Sequence, residues 1–564
     1  MGKKVLVALT MCFGMVLGAF GTARASGETA AILPPMSVPM AKYLAANPDA
    51  KKAMMASLAQ TAGSTPRFVT SAGGTWANVT LALHSGGFVN PFLLTDGSVV
   101  VQTADNRKFW KLSPDAQGNY ADGTWTQLAD LPKIGGVQYA PLYHAGAVLP
   151  DGRLIFMGGE YNGSDTEVWT NLGAIYDPIA NSWTPVSAPT GAGWSMIGDA
   201  QSIVLPSGQF LLASCCSYKP PSDAILNPQT LGWTETGAPR HGGSYQDEQG
   251  YSLLPDGDVL TVDIWTDYNS KTEPTNTELY VPKRQSWVAG PQLRQSVTDQ
   301  RVCGTYEIGP AVMRGDDTLV QFGANTGCPA GGSRLDPTQV LDITLNKWIQ
   351  GPYVPVVCGK TGRRPCTLPD APAAVMNDAK ILFAASSGYG EAPTHFFEFD
   401  PNNVIVEVSD PLENSKDRGA YTYSLLDLPN GQVLMSDFSS QLEVYTPADP
   451  QVDDYAPIIT SAPKTVQPGG TYTLAGLQLG GRTQGVGYGD DEQMATNFPI
   501  IRFTNMASGD VVYARSMDFS GYSVADNAPS AASFTVPTGI ETGASKMSVI
   551  ANGAASAPIM VNVQ

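Results

Sequence analysis

"HAGAVLPDGRLIFMGGEYNGSDTEVWTNLGAIYDPIANSWTPV", residues 144–186, reads as four short strands. A β-rich run meets the tight turn "LPDG", and a second run ends in Gly-Gly. A third run follows, then another turn and a strand centred on Trp183. Asp or Pro before Gly suits a hairpin, because Gly accepts the positive φ that the turn needs. The unit recurs along the chain. Its first turn returns as "LTDG" (94–97), "LPSG" (205–208), "LPDG" (254–257), "RGDD" (314–317), "NDAK" (377–380) and "LPNG" (428–431). The fourth strand carries Trp125, Trp183, Trp233, Trp287 and Trp348, spaced by 58, 50, 54 and 61 residues. A bulky aromatic at that place predicts packing of each unit on its neighbour.

Seven first turns predict seven four-stranded blades of a propeller. The seventh unit stops after "EVYTPADP" without a Trp strand, while "GTWANVTLAL" (74–83) stands unpaired ahead of the first. That strand is expected to complete the seventh blade, which removes an exposed edge. The composition agrees: 59 Gly, 43 Pro and only 15% charged residues favour a turn-rich all-β chain over a helical one. The one helical stretch is the Ala- and Lys-rich segment 41–62.

The N-terminus reads as an export signal, with Lys3 and Lys4, an apolar run from Val5 to Phe20 and the small-residue site Ala23-Arg24-Ala25. The apolar run is short for a membrane span, and no later stretch is long enough for one. A secreted or periplasmic protein is expected. Losing residues 1–25 removes Lys3, Lys4 and Arg24 and no acid, so the formal charge moves from −18 to −21. Such a chain repels nucleic acid and anionic membranes, so neither is an expected partner.

After Asp453 the repeat gives way to short alternating strands, as in "IIRFTNM", "GDVVYARSMDFS" and "KMSVIANGAASAPIMVNVQ". They are expected to form an immunoglobulin-like sandwich. The division is therefore signal peptide 1–25, an N-terminal segment with a helix 26–73, the propeller 74–452 and the sandwich 453–564. "LPDGRLIFMGG" and "YDPIANSW" are kelch signatures, and "GVGYGDDEQMATNFPIIRFTN" (485–505) looks like a known C-terminal domain. Over roughly 74–564 the chain thus resembles the galactose oxidase-like family: a kelch-type seven-bladed propeller followed by an immunoglobulin-like domain. Fold does not carry function with it.

The resemblance implies one copper held by two Tyr and two His, with one Tyr cross-linked to a Cys for alcohol oxidation. Counting back from the first turns places the Tyr–His pair on "AYTY", where Tyr421 is retained and the His position reads Thr422. The radical Tyr falls at Glu248 and its Cys at Asp199. No His follows His395, and the matching C-terminal segment reads "YARSMDFSGYS". Copper wants imidazole, so copper-radical chemistry is not expected.

Residues eight or nine positions ahead of each first turn should ring the mouth of the channel. They are His144, Asp199, Glu248, Glu307 and Asp370, with Arg418 and Tyr421 in blade seven. Carboxylates converging from four blades repel one another unless a cation, a basic ligand or raised pKa values relieve them. A cation or ligand pocket follows; polar strand ends meeting water are the bland alternative. No cofactor is demanded, while calcium or another divalent cation stays open. Three functions remain: a non-oxidising propeller binding a carbohydrate or cell-surface component, an enzyme using the acidic ring with a divalent metal or as acid/base groups, and a divergent oxidase.

Six cysteines follow the signal: Cys215, Cys216, Cys303, Cys328, Cys358 and Cys366. An even number in an exported chain points to disulfides. Cys358 with Cys366 and Cys303 with Cys328 look local. Cys215 and Cys216 are left to a strained vicinal bridge, two thiols or a reshuffled pairing. The acidic run Asp490-Asp491-Glu492 lacks the spacing of a calcium loop, and no Gly-x-Ser-x-Gly element occurs.

Overall fold

A computed structural model describes residues 73–564, apart from 82–85, 164–165, 192–193, 216–222, 238, 240–245, 247, 265–274, 299–306, 324–337, 356, 359–363, 389, 413–414, 486–495, 521–523 and 526–527. The expected signal, the helix at 41–62 and the acidic run 490–492 lie outside these residues.

Seven four-stranded antiparallel sheets follow one another. Blade one is Phe88–Leu93, Val99–Thr103, Phe109–Ser113 and Thr124–Gln127. Blade two is Ala145–Val148, Leu154–Met157, Gly173–Asp177 and Ser182–Pro185. The seventh blade is closed as expected: Thr75–Asn78 pairs antiparallel with Glu443–Thr446, Trp76 opposite Tyr445. The two inner strands of each blade are apolar and buried, and the fourth is largely exposed.

Two sequence signals explain the repetition. In six blades the first turn closes with one hydrogen-bond pair, as in Gly152 N–H to the Leu149 carbonyl (2.8 Å) and Leu149 N–H to the Arg153 carbonyl (2.8 Å), and blade five keeps the second of these, from Arg314 to Thr318. Gly152 has φ 80°, a value L-residues rarely adopt. In the two units without Gly at this position, Asp317 (φ 62°) and Ala379 (φ 72°) take that conformation, so both degenerate turns form. The tryptophans join neighbouring blades. The indole N–H of Trp183 donates to the Ala129 carbonyl at 2.9 Å, and those of Trp125, Trp233, Trp348 and Trp76 donate to Thr80, Ser187, Pro291 and Ser409. Each acceptor is the second residue past the preceding blade's fourth strand. Each such bond contributes about 1 kcal/mol net, beyond the area the ring buries.

The C-terminal region forms one nine-stranded sheet between Ile458 and Val563, eight strands on a single hydrogen-bonded path and a short ninth paired off it. Its strand Val511–Met517 changes partner midway. Residues 511–514 pair with Ile500–Asn505, and residues 515–517 pair with Pro529–Thr535. A strand shared this way turns the path through a corner and lets two faces close on one core. That core includes Phe503, Phe534, Met547 and Val549.

This region covers the propeller face that carries the first turns. Ser516 N–H donates to the Thr95 carbonyl, Asp518 N–H to Pro150, and Arg482 reaches the Gly315 carbonyl and Asp317. Gln484 goes further. Its backbone pairs with Met313, and its side-chain oxygen accepts from Leu253 N–H at 2.8 Å, both residues lying on innermost strands. The first-strand starts and the 2–3 loops lie on the opposite face.

Candidate functional site

The first strands of blades two, four and six are entered through a repeated backbone kink. Tyr143 (φ 50°), Glu248 (φ 57°) and Asp370 (φ 47°) are all left-handed, and each lies six residues ahead of its blade's turn-opening residue, Leu149, Leu254 or Met376. Non-glycine residues held there are strained, and such strain concentrates at functional sites. In blade three, Gly198 (φ 65°) bears the kink just before Asp199.

The kinks bring side chains together. Carboxylate oxygens of Glu248, Glu307 and Asp370, from blades four, five and six, all lie within 4.8 Å of one another. Asp370 is 6% exposed. At that spacing two charges repel by roughly 3 kcal/mol at an effective dielectric near 20, so the three are not comfortable as trianions. Burial pushes the Glu307 carboxyl up, against the hydrogen bonds it shares with Glu248 and Asp370. Its Oε2 is sealed from solvent and meets no hydrogen-bond partner.

A fourth carboxylate extends the cluster. Burial, reinforced by the charges of Asp199, Glu167 and Glu307, pushes Glu160 up to about 8, although a hydrogen bond with the Tyr161 side chain opposes this. Glu160 follows Gly158-Gly159 in the 2–3 loop of blade two. Its carboxyl feels the charges of Asp199, itself 6% exposed, and of Glu307 in the cluster of three.

Of the residues singled out by counting, Glu248, Glu307 and Asp370 meet directly, and Asp199 raises the Glu160 carboxyl by its charge. His144 is fully buried. Its ring packs 4.2 Å from the Phe156 centroid, its Nδ1 lies 3.1 Å from the Ala145 carbonyl, and burial lowers its pKa to about 4. It is a neutral packing group between blades one and two. Arg418 Nε lies 3.6 Å from the buried carboxylate of Asp437. Tyr421 sits half-buried in the turn Ala420–Thr422. Glu160 escaped the counting because it lies after a second strand; the Gly-Gly exit at 158–159 was its sequence signal.

The cysteines frame the same face. Cys358 and Cys366 are joined, with Cα atoms 4.9 Å apart. Cys215 is fully buried and disulfide-bonded, while Cys216, Cys303 and Cys328 lie outside the described residues. The Cys215 backbone accepts from Gln246 N–H and donates to the Ile197 carbonyl, tying the approaches to Asp199 and Glu248 together.

No sequence-family description and no curated protein matches the chain. Among solved structures, a fungal alcohol oxidase of the AA5 family, in complex with copper, is similar at 12% identity and a TM-score of 0.46. That match covers 87% of this chain and 99% of the oxidase. Virginiamycin B lyase from Staphylococcus aureus is similar at 9% identity and a TM-score of 0.42, covering 66% of this chain and 99% of the lyase. Likeness this distant says nothing about chemistry.

Proposed function

We propose that this is an exported, galactose oxidase-like propeller that binds a carbohydrate or cell-surface ligand at its loop face, with clustered carboxylates taking up a cation or cationic group. The observation that carries the reading is the meeting of Glu248, Glu307 and Asp370. Three oxygen donors at that spacing suit a hard cation such as calcium. They do not suit copper: the cluster contains no imidazole, His144 is packed between phenylalanines, and His395 is engaged with Glu407 at 2.8 Å. Asp199, Glu248 and Thr422 stand where the resemblance asks for Cys, Tyr and His. The disulfides agree with an oxidising compartment.

A second reading is favoured by Glu160. A carboxyl that titrates near 8 beside other carboxylates is suited to donate a proton at neutral pH, which supports an acid/base enzyme on the same face. Metal analysis of the purified mature chain, with calorimetric titration of calcium and manganese and an oxygen-consumption assay on primary alcohols and sugars, separates the possibilities. Divalent uptake lost in Glu307→Gln, with no oxygen consumed, is the expected result. Stoichiometric copper with hydrogen peroxide release would overturn it.

A further inference from the structure

The blade-two loop that carries Glu160 also holds an exposed aromatic. Val168 N–H donates to the Glu160 carbonyl (2.8 Å) and Thr170 N–H to the Gly159 carbonyl (3.0 Å), which fixes Trp169 between them. Its side chain is nevertheless left 40% exposed, an unusual position for an indole with no interior to fill. Tyr161, one residue past Glu160, stands edge-on to Tyr143 with centroids 6.0 Å apart. Two aromatic residues therefore share the loop of Glu160, whose carboxyl feels the charges of Asp199, Glu167 and Glu307, while Glu307 itself meets Glu248 and Asp370.

Each part of this arrangement excludes something. A metal ion alone would account for the cluster but not for the indole and the acids leading away from it. Acidic glycans and phosphorylated ligands are repelled by those acids and by a chain of formal charge −18. A neutral sugar explains the indole, whose face suits the C–H side of a pyranose, but leaves the sealed Glu307 Oε2 without a counter-charge. A basic peptide would satisfy the charges. Peptide recognition, however, draws on free main-chain donors and acceptors, and the Val168 and Thr170 N–H groups of this loop are already committed. A stiff polymer of pyranose rings with one ammonium per residue meets all the conditions: ring faces for Trp169, and cations for the acids and for the indole's π-face.

Resting on the loop-face binding reading above, we propose that the blade-two loop and the carboxylate cluster form a subsite line for an amino-sugar glycan bearing free amines, of the glucosamine-polymer class. Trp169 stacks the outer ring, Asp199 pairs with an ammonium beside the protonated Glu160, and the cluster takes the innermost one.

The test is calorimetric titration of the full mature chain with fully deacetylated glucosamine hexamer, at about pH 6 so that the amines are charged. The N-acetylated hexamer, an oligogalacturonate and hexalysine serve as competitors, and calcium is titrated in parallel. Expected are binding of the deacetylated hexamer at least tenfold tighter than of the acetylated one, and no binding of the galacturonate. Trp169→Ala should lose at least tenfold with unchanged thermal unfolding and unchanged calcium uptake, whereas Glu307→Gln should lose both ligands. Equal affinity for the two glucosamine hexamers overturns the cationic assignment. Hexalysine binding as tightly overturns the glycan assignment. Calcium uptake with no glucosamine binding sinks this proposal but leaves the loop-face reading standing, and failure of both sinks the two together.

Discussion

Two carboxylate clusters among the described residues are solved in opposite ways. Near the ring closure, Lys380 lies 2.6 Å from Asp449, 2.9 Å from Glu398 and 3.4 Å from Asp378. The Tyr445 hydroxyl adds a bond to Glu398 at 2.7 Å and accepts one from Gly74 N–H, on the strand that seals blade seven. Three acids there surround one lysine, and the Lys380 ammonium is held above its usual range by them, against the cost of burial. In the loop-face cluster, three acids face one another and Glu307 hydrogen-bonds both neighbours. The first arrangement is built around its own counter-charge and serves the fold. The second holds no cation of its own among the described residues and relieves its charge by burial that raises Glu307 and by hydrogen bonds among the acids.

The comparison breaks most readily at Lys380. Replacing it by methionine removes the cation but not the acids, so Lys380→Met should destabilise by about 3–5 kcal/mol, read as a lowered urea midpoint. A neutral effect would mean that the closure cluster is not structural.

A pH series probes the raised carboxyls together. Burial pushes Asp223 and Asp427, like Glu160, up to about 8 from ordinary values of 3.8 and 4.5. These groups contribute fully to stability below the pH at which unfolded carboxyls titrate, and that contribution is lost as pH climbs through 8. The melting temperature should therefore fall between about pH 5 and pH 8. Asp427→Asn should flatten the slope, and a series without slope would contradict the burial argument.

The smallest effect has the opposite sign to the first. Glu307→Gln removes one charge from a crowded site, so it should raise stability by about 1 kcal/mol in thermal melts while abolishing cation uptake. Loss of stability would show that the cluster is a structural network like the one at Lys380.

Much of this was legible before any coordinates. The Pro/Asp-Gly turns and the spaced tryptophans gave seven blades, and the unpaired strand at Trp76 gave the closure. Counting from the turns also named the three acids that meet. The same counting put His144 at the mouth, whereas the structure buries it, for a physical reason. Successive strand residues point to opposite sides, so His144, one step past the kinked Tyr143, turns into the packing between Phe92 and Phe156. Glu307 stands one step before Ile308, the residue that matches Glu248 and Asp370 in register, yet it still reaches them.

By itself the sequence determined the repeat, the closing strand, the excess of acid and the shortage of histidine, because turn chemistry, aromatic spacing and charge are local properties of the chain. Only the tertiary structure decided which acids share a volume. It put Glu160 and Trp169 on one loop and showed one acid cluster built around a lysine. Those outcomes depend on side-chain direction and burial, which arise when seven blades close around a common axis.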